Sequence, residues 1–318
     1  MKPINWQIMI KKEQYIIASF YRFKKIKNLK QIKNQLENFT NNKIIRGTIL
    51  IAAEGSNGTI SGEKTEISNF LKLIKKVLKV KKLSLKVNDT NFLPFNKIKI
   101  RIKKEIVSLG VSNLNISNYS GNFISPKHWD KFLKISNVTL IDTRNEYEIP
   151  IGKFSNSINP HTNSFREFPK NFKKLKIDKN QKIAMYCTGG IRCEKASAYL
   201  YSQGYKKIYQ LEGGIINYLK AYKDLKSKST WKGECFVFDN RVSIKKNCRN
   251  GSYTQCFGCR RPLKQKDTKS NKYLKGVHCS YCFHERTKKQ KESSIVRQKQ
   301  IDLAARLKKN HPFKRINI

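Results

Sequence analysis

A buried strand that runs directly into a cysteine and a pair of glycines constrains the fold of this chain more than any other feature. The apolar run at residues 183–186 predicts a strand, and a helical pattern over 194–202 follows closely. A strand joined to a helix by so short a loop is typical of open α/β sheets, which bind ligands at the carboxyl ends of their strands. We therefore expect a parallel sheet with a functional cysteine, Cys187, at that edge.

The loop after this strand has the composition of an anion-binding turn. It reads Cys187, Thr188, Gly189, Gly190, Ile191 and Arg192. Its backbone N–H groups and the dipole of the following helix are expected to face the sulfur, lower the thiol pKa and stabilise an anion. The glycines let the backbone curl around that anion, and Arg192 adds a fixed positive charge. Cys187 is therefore the predicted nucleophile, able to hold a terminal persulfide.

The length of the loop bears on its chemistry. Cysteine phosphatases place five residues between cysteine and arginine to enclose a tetrahedral phosphate, whereas only four separate Cys187 from Arg192. The smaller ring favours binding of a single sulfur atom over a phosphate group. The alternative is that Cys187 is a buried structural cysteine beside a glycine turn. Cys193 is expected either to resolve an oxidised Cys187 as a disulfide or to serve as a small helix-packing residue.

The rest of the chain divides into three further parts around this α/β unit. Residues 1–110 predict a ferredoxin-like domain of order βαββαβ, with a hairpin whose turn is placed at residues 54–57. Residues 111–125 are rich in Ser, Asn and Gly and predict a linker. Apolar runs at 138–142, 182–186 and 208–211 predict the parallel strands of an α/β domain over 126–226. Residues 227–318 form a small, basic, cysteine-rich C-terminal region, so that the fold class is α/β plus α+β.

The charge of the chain favours a polyanionic partner. Lys and Arg number 67 against 22 acidic residues, which gives a net charge of +45 and an attraction to nucleic acid through counterion release. The alternative is that Lys, Asn and Ile are all inflated by base bias of the genome. After the N-terminal residues 1–6, Lys11, Lys12 and Glu13 follow before any apolar run reaches signal-peptide length, so we expect no signal peptide, and we find no apolar run long enough to span a bilayer. We therefore expect a cytoplasmic protein with no membrane partner, whose eight cysteines stay reduced.

Four of those cysteines have the spacing of a zinc ribbon. Two C-x2-C pairs, separated by 19 residues, comprise Cys256, Cys259, Cys279 and Cys282. A structural zinc ion is the prediction, and redox-active or simply reduced thiols are the alternative. Further candidate ligands nearby are Cys248, His278 and His284.

Basic and aromatic side chains alternate around these cysteines. The basic ones are Arg249, Arg260, Arg261, Lys264, Lys266, Lys269, Lys272 and Lys275, and the aromatic ones are Tyr253, Phe257, Tyr273 and Tyr281. Cations that neutralise phosphates beside aromatic rings that stack on unpaired bases are typical of binding to single-stranded RNA loops. A solvated lysine-rich surface is the alternative for any single residue.

The arrangement of motifs over residues 141–215 resembles a rhodanese domain. The pattern comprises residues 141–148, the Gly152-Lys153-Phe154 segment, the Cys187 loop and residues 211–215. Lys153 stands where rhodanese-like sequences often have histidine, a position that belongs to the structural signature. Asp142 and Arg144 are expected to form a structural ion pair that orients the active-site loop.

With residues 47–55 upstream and 236–241 downstream, the chain resembles the rhodanese-type tRNA uridine hydroxylase family over nearly its whole length. This resemblance implies that the chain forms 5-hydroxyuridine at the wobble position with molecular oxygen as co-substrate, acts on the anticodon loop of tRNA, and has Cys187 as its essential cysteine. The reductant is not implied. We find no flavin or nicotinamide motif and no triad of two histidines and a carboxylate, and no protein partner is predicted.

Two other functions are compatible with the residues. In the first, Cys187 is a sulfurtransferase nucleophile that passes persulfide sulfur to a small acceptor or to tRNA. In the second, the rhodanese fold is only a scaffold for a non-catalytic RNA-binding protein, and Cys187 is dispensable.

Overall fold

The computed structural model describes residues 15–134, 137–222 and 229–307. The interpretation of the N-terminal residues 1–13, the domain boundary placed at 226 and the last part of the basic C-terminal region, 308–318, concern residues outside these ranges. None of the helices in the described ranges is long and apolar enough to cross a membrane.

The N-terminal part folds as the predicted ferredoxin-like sheet with an added strand. Its elements are β1 (Tyr15–Phe23), α1 (Leu29–Thr40), β2 (Arg46–Ala52), β3 (Gly55–Glu63), α2 (Lys64–Leu78), β4 (Ser84–Thr90) and β5 (Ile98–Ile102). The strand order is β4-β1-β3-β2-β5, with antiparallel pairs except for the parallel pair β2 and β5. Both helices cover one face of the sheet because their apolar residues recur at helical spacing and enter a common core with it.

The hairpin between β2 and β3 is tighter than predicted. The strands continue to Ala52 and restart at Gly55, so that the turn is Ala53 and Glu54 rather than residues 54–57. Gly55 pairs with Phe23 of β1, and a Cβ atom at this position would lie 2.1 Å from the carbonyl oxygen of Arg22. The glycine therefore serves close strand packing and not the turn.

The segment predicted as a linker contributes to both neighbouring units. Ile116 is buried beside Tyr21 of the N-terminal sheet, and the short strand β6 (Asn122–Ile124) joins the second sheet. This segment therefore packs against the folded units that it connects.

The second unit is the predicted α/β domain with a parallel sheet. Its elements are α3 (Pro126–Lys134), β7 (Val138–Asp142), β8 (Gly152–Phe154), α4 (Phe168–Lys174), β9 (Lys182–Tyr186), α5 (Ile191–Ser202), β10 (Ile208–Leu211) and α6 (Gly214–Ala221). The sheet order is β6-β10-β9-β7, all parallel. Short 3-10 helices lie at Glu146–Glu148 and Phe165–Glu167. Helices pack on both faces of this sheet, so that its central strands are almost wholly buried.

The C-terminal region begins inside the core of the α/β domain. Strand β11 (Trp231–Gly233) pairs antiparallel with β8, and Trp231 packs edge-on against Phe154 at 5.1 Å between ring centroids. The remaining elements are β12 (Cys235–Phe236), β13 (Ser243–Ile244), β14 (Thr254–Gln255), β15 (Pro262–Leu263) and α7 (Lys288–Arg306), with 3-10 helices at Lys246–Cys248 and Gln265–Lys269. The chain after α6 thus returns to the rhodanese-like core before it forms the cysteine-rich module.

Candidate active site

The predicted cysteine loop lies at the carboxyl end of β9, in the middle of the parallel sheet. The backbone N–H of Gly190 donates a hydrogen bond to the Cys187 sulfur over 3.0 Å. Gly190 has a φ of 97°, a left-handed conformation that favours glycine. Helix α5 begins at Ile191, three residues earlier than predicted, and its N-terminal dipole therefore acts directly on the sulfur.

These surroundings favour the thiolate form of Cys187. Burial by itself would raise the pKa of this thiol. The hydrogen bond from the Cys193 thiol, the charge of Arg192 and two backbone N–H groups outweigh that effect, and the pKa lies well below the ordinary value for cysteine. Burial and the Cys187 sulfur raise the pKa of Cys193, which therefore stays protonated and donates to its neighbour. Cys193 also packs in the core around α5, and its role as a resolving thiol stays a prediction.

Arg192, the last residue of the loop, is paired with a carboxylate that the sequence analysis did not single out. Its guanidinium group donates to both oxygens of Glu148, over 2.6 and 2.9 Å, and both side chains are buried. The Thr188 hydroxyl also donates to Glu148, over 3.3 Å. Glu148 comes from the 3-10 helix after β7, far from the loop in sequence. The sequence feature that could have pointed to Glu148 is the capping box that it forms with Asn145, three residues earlier.

The predicted pair of Asp142 and Arg144 is present and completely buried. Arg144 Nη2 lies 2.6 Å from the Asp142 carboxylate and donates over 2.7 Å to the carbonyl oxygen of Gly152. Arg144 Nη1 donates over 3.1 Å to the carbonyl oxygen of Glu148. The pair therefore fixes the backbone of Glu148, which in turn holds Arg192. Asp142 and Arg144 thus act as positioning residues and do not contact the Cys187 loop through their ion pair itself.

A cavity of about 470 Å³ lies above the loop, between the N-terminal sheet and the rhodanese-like domain. Strands β1 to β4 provide one wall, the loop from Cys187 to Arg192 provides the floor, and residues 237–241 close a third side. A Cβ atom on Gly189 would have nothing within 4 Å, so that this glycine faces the open space. The cavity is within the size range of small-molecule sites, about 300–1,000 Å³.

The N-terminal sheet contributes charged and phenolic groups to this cavity that the sequence analysis missed. Lys86 of β4 is 6% exposed, and its ammonium group lies 4.9 Å from the centre of the Tyr21 ring. The Tyr21 hydroxyl donates to Glu194, in the first turn of α5. Burial lowers the pKa of Lys86 to about 8, although the negative charges of Cys187 and Glu194 oppose that shift. Lys86 therefore remains largely protonated at neutral pH.

A buried ion cluster joins the two domains beside the cavity. Lys195 of α5 is 1% exposed, and its ammonium group lies 2.7 Å from Glu54 and 2.6 Å from Glu105. It also donates over 3.0 Å to the carbonyl oxygen of Val107. Since Glu54 is in the β2–β3 turn, this cluster fixes the N-terminal sheet relative to the helix that carries the active-site loop.

The third side of the cavity, residues 237–241, contains a second buried pair of an aspartate and an arginine two residues later, like Asp142 and Arg144. Arg241 pairs with Asp239 over 2.6 Å, and both side chains are nearly buried. Phe238, which immediately precedes Asp239, is 60% exposed and lies against the Arg192 guanidinium group, 5.9 Å from ring centroid to carbon. The pair therefore holds an exposed aromatic ring at the edge of the cavity.

The four cysteines of the predicted zinc site lie together in the C-terminal module. Their sulfur atoms lie within 4.8 Å of one another. The Cys256 and Cys282 sulfurs are 3.8 Å apart, as are those of Cys259 and Cys279. A tetrahedral ion with sulfur ligands at about 2.3 Å requires sulfur spacings of about 3.8 Å, so these residues fit zinc.

The other candidate ligands are placed elsewhere. The Cys248 sulfur lies 3.8 Å from the carbonyl oxygen of Ile216, and the His278 ring lies 3.0 Å from that of Lys272. His284 is likewise outside the group of potential ligands found in the described ranges.

Some of the basic and aromatic side chains predicted to bind RNA form cation–π pairs on the surface of this module. Arg260 lies over the ring of Phe257 and Arg261 over that of Tyr281, each 5.7 Å from carbon to centroid. Both rings are about half exposed, whereas Tyr273 packs against the cysteine cluster. The exposed pairs have the chemistry of a stacking surface for bases.

Two family models match the folded units separately. A UPF0176 acylphosphatase like domain matches residues 15–106, and a rhodanese-like domain matches residues 125–221. A rhodanese-related protein from Thermoplasma volcanium is 26% identical, with 31% of this chain and 92% of that chain covered and a TM-score of 0.28. A rhodanese-like domain protein from Staphylococcus aureus is 24% identical, with 30% and 90% covered and a TM-score of 0.27.

Two curated relatives match almost the full length. The tRNA uridine(34) hydroxylase of Pelagibacter ubique (strain HTCC1062) is 47% identical over 300 residues, which cover 94% of this chain and 98% of that protein. The tRNA uridine(34) hydroxylase of Teredinibacter turnerae (strain ATCC 39867 / T7901) is 40% identical over 305 residues, which cover 96% and 94%. This chain belongs to the tRNA uridine(34) hydroxylase family.

Proposed function

We propose that this chain hydroxylates carbon 5 of uridine 34, the wobble nucleotide of tRNA, and that the reaction depends on Cys187. Full-length relatives at 40% and 47% identity carry the name of that activity. The observation that carries the role of Cys187 is its place on the floor of a cavity closed by three parts of the chain, with a pKa well below that of an ordinary thiol.

A uridine reaches this cavity only if it leaves the base stack of the anticodon loop. Enzymes that modify bases extrude the target nucleotide into a pocket, at a cost that is lowest for bases that are already unpaired. The wobble base of an anticodon loop is unpaired, and the cavity of about 470 Å³ has room for a nucleotide. The proposed target therefore agrees with the dimensions of the site.

The anticodon loop is the proposed contact of the C-terminal module. The exposed pairs formed by Arg260 with Phe257 and by Arg261 with Tyr281 offer both phosphate binding and base stacking. The net charge of +45 supports binding of the whole tRNA through its phosphates. We expect a zinc ion at the four cysteines to hold this module in shape, with no part in the chemistry.

Molecular oxygen is the proposed source of the new hydroxyl oxygen, and a reductant is required to convert the second oxygen atom to water. This part of the proposal rests on the family resemblance. An experiment that supplies oxygen labelled with oxygen-18 tests it independently of the role of Cys187.

The proposal is tested by nucleoside mass spectrometry of tRNA from a bacterial host that lacks its own hydroxylase. The host is complemented with the wild-type chain or with Cys187→Ser. We expect 5-hydroxyuridine derivatives with wild type only. A thiolated nucleoside in their place would indicate sulfur transfer, and tRNA left unmodified by the wild-type chain would indicate an RNA-binding protein with a rhodanese scaffold. Full restoration of 5-hydroxyuridine by Cys187→Ser would show that the reaction does not depend on this cysteine. Each of these results contradicts the proposal.

A further inference from the structure

Lys86 is a buried cation whose contacts leave its charge directed at the cavity. Its ammonium group donates over 3.1 Å to the Ser84 hydroxyl and lies over the ring of Tyr21. Among the ion pairs of the described ranges none includes Lys86, so that no carboxylate there lies within 4.0 Å of it. A buried ammonium group without a carboxylate is costly unless it serves a ligand.

A short series of contacts links this cation to the loop that carries the nucleophile. The Tyr21 hydroxyl lies 3.1 Å from the position that a Cβ atom on Gly190 would occupy, and the Gly190 N–H donates to the Cys187 sulfur. Tyr21 is held there by its hydrogen bond to Glu194. Lys86 and Cys187 line the same cavity and interact electrostatically, one from the N-terminal sheet and the other from the rhodanese-like loop. A base that enters this cavity meets walls that carry both a thiolate and an ammonium group.

The proposed substrate has the complementary reactivity. In uracil the C5–C6 double bond is conjugated with the C4 carbonyl group, so a thiolate can add to C6 when negative charge on O4 is stabilised. Addition turns C5 into an enolate carbon, which is the atom that the hydroxylation must functionalise. Of the groups that face the cavity from the N-terminal sheet, Lys86 is a cation able to stabilise that oxygen.

We propose that the Cys187 thiolate adds to C6 of the target uracil while the Lys86 ammonium group donates a hydrogen bond to O4. The S–C6 bond forms, the C5–C6 π pair moves to C4–C5, and the C4–O4 π pair moves onto O4. In the reverse direction the O4 pair returns, the C5–C6 double bond is restored and the thiolate leaves. The step consumes no oxidant and no reductant. It rests on the proposed function because that function supplies uridine 34 as the substrate.

The step is tested by hydrogen exchange at C5, which needs neither oxygen nor a reductant. The full chain is incubated in D2O without oxygen with an unmodified anticodon stem-loop RNA that contains uridine at position 34. During the lifetime of the adduct the enolate takes up deuterium at C5, and reversal with loss of the original hydrogen leaves deuterated uridine. Mass spectrometry of the isolated nucleoside measures the rate of exchange at position 34.

Wild type is expected to catalyse exchange, and Cys187→Ser to catalyse none. Lys86→Met is expected to slow exchange by about 100-fold, the effect of removing one oxyanion donor. Lys86→Arg, which keeps the charge, is expected to retain part of the rate. The matched control is Lys99→Met, since Lys99 is an exposed lysine on β5 of the same sheet. Thermal unfolding and RNA binding of each variant show whether a loss of exchange is a loss of fold.

Hydroxylation of the same RNA in the presence of oxygen separates this inference from the proposed function. Hydroxylation by wild type without any anaerobic exchange overturns the addition step and leaves the function intact. Exchange at the wild-type rate in folded Lys86→Met overturns the role of Lys86. Exchange without hydroxylation supports the addition and contradicts the proposed function, and absence of both contradicts both.

Discussion

The buried carboxylate of Glu148 holds the Arg192 side chain of the active-site loop. It is fully buried, and Arg192 is its charged partner. Removal of one member of a buried pair leaves an uncompensated charge, at a cost of about 3–5 kcal/mol, whereas removal of both is nearly neutral. We expect Arg192→Met to lower the free energy of unfolding by that amount, and the double variant Arg192→Met with Glu148→Leu to recover most of it. Urea unfolding measures both free energies. A free energy of unfolding in Arg192→Met equal to that of wild type would contradict this account.

The same pair predicts a dependence of stability on pH. Burial would raise the pKa of Glu148, but the charge of Arg192 outweighs it and the pKa is lowered. Because the folded pKa lies below the unfolded value of about 4.3, the contribution is complete above that pH and is lost as the pH falls through the folded pKa. In Arg192→Met the main group that opposes burial is lost, while the charge of Arg144 and the Asn145 N–H remain, so the pKa of Glu148 is higher than in wild type and its protonation relieves part of the penalty. The difference in stability between wild type and variant should therefore narrow as the pH falls from neutral, and a constant difference would argue against the pair.

The two glycines of the loop are expected to respond differently to substitution. Gly189 has open space in front of it, so Gly189→Val should leave the melting temperature unchanged while it lowers the hydroxylation rate on the order of tenfold, because the side chain occupies the cavity. Gly190 has a φ of 97°, so Gly190→Ala should cost about 1–3 kcal/mol of stability. Calorimetry and a hydroxylation assay separate the effects, and equal loss of stability in both variants would contradict the assignment.

The sequence identified Cys187 and its loop because all of the relevant residues are contiguous. Glu148 could not be found in the same way, since its partner lies 44 residues away. Lys86 was one lysine among many, and only its burial against the cavity sets it apart.

At the scale of elements, buried strands were predicted better than turns. The strands β7, β9 and β10 have the predicted bounds, because each is a short apolar run between polar segments. The turn before β3 was placed too late, since Gly55 was read as a turn residue although close packing against β1 requires it. The start of α5 was also placed too late, because Ile191 and Arg192 carry the chemistry of the loop and the geometry of the helix at once.

Helix α5 also holds the N-terminal sheet in place through Lys195. Lys195→Met would leave the carboxylates of Glu54 and Glu105 without their shared cation. We expect a loss of about 3 kcal/mol in the free energy of unfolding and a slower hydroxylation, because the sheet forms a wall of the cavity. Thermal unfolding and activity are compared with Lys206→Met, a change at an exposed lysine of the same domain. A stable and fully active Lys195→Met would show that the cluster does not position the sheet.

At the scale of the whole molecule, the sequence predicted the units but not the site between them. The ferredoxin-like sheet and the parallel α/β domain follow from local periodicity, and both are confirmed. The cavity arises from strands β1 to β4 facing a loop more than a hundred residues later, a relation that no local pattern contains.

The cysteine-rich module is expected to need one zinc ion for each chain. Cys256→Ser or Cys279→Ser should lose the metal and lower the affinity for tRNA, because the surface that carries Phe257 and Tyr281 loses its support. Cys248→Ser is the matched control and should retain the metal, since its sulfur lies apart from the four. Elemental analysis and RNA binding provide the two readouts. Full tRNA affinity in a metal-free variant would contradict a structural role.

The most direct test of the central claim is the reaction of the purified chain with unmodified tRNA, oxygen labelled with oxygen-18 and a chemical reductant. Nucleoside mass spectrometry then measures the product at position 34. The account predicts 5-hydroxyuridine that carries the label with wild type, and none with Cys187→Ser. Unlabelled product, or labelled product from Cys187→Ser at the wild-type rate, would contradict it.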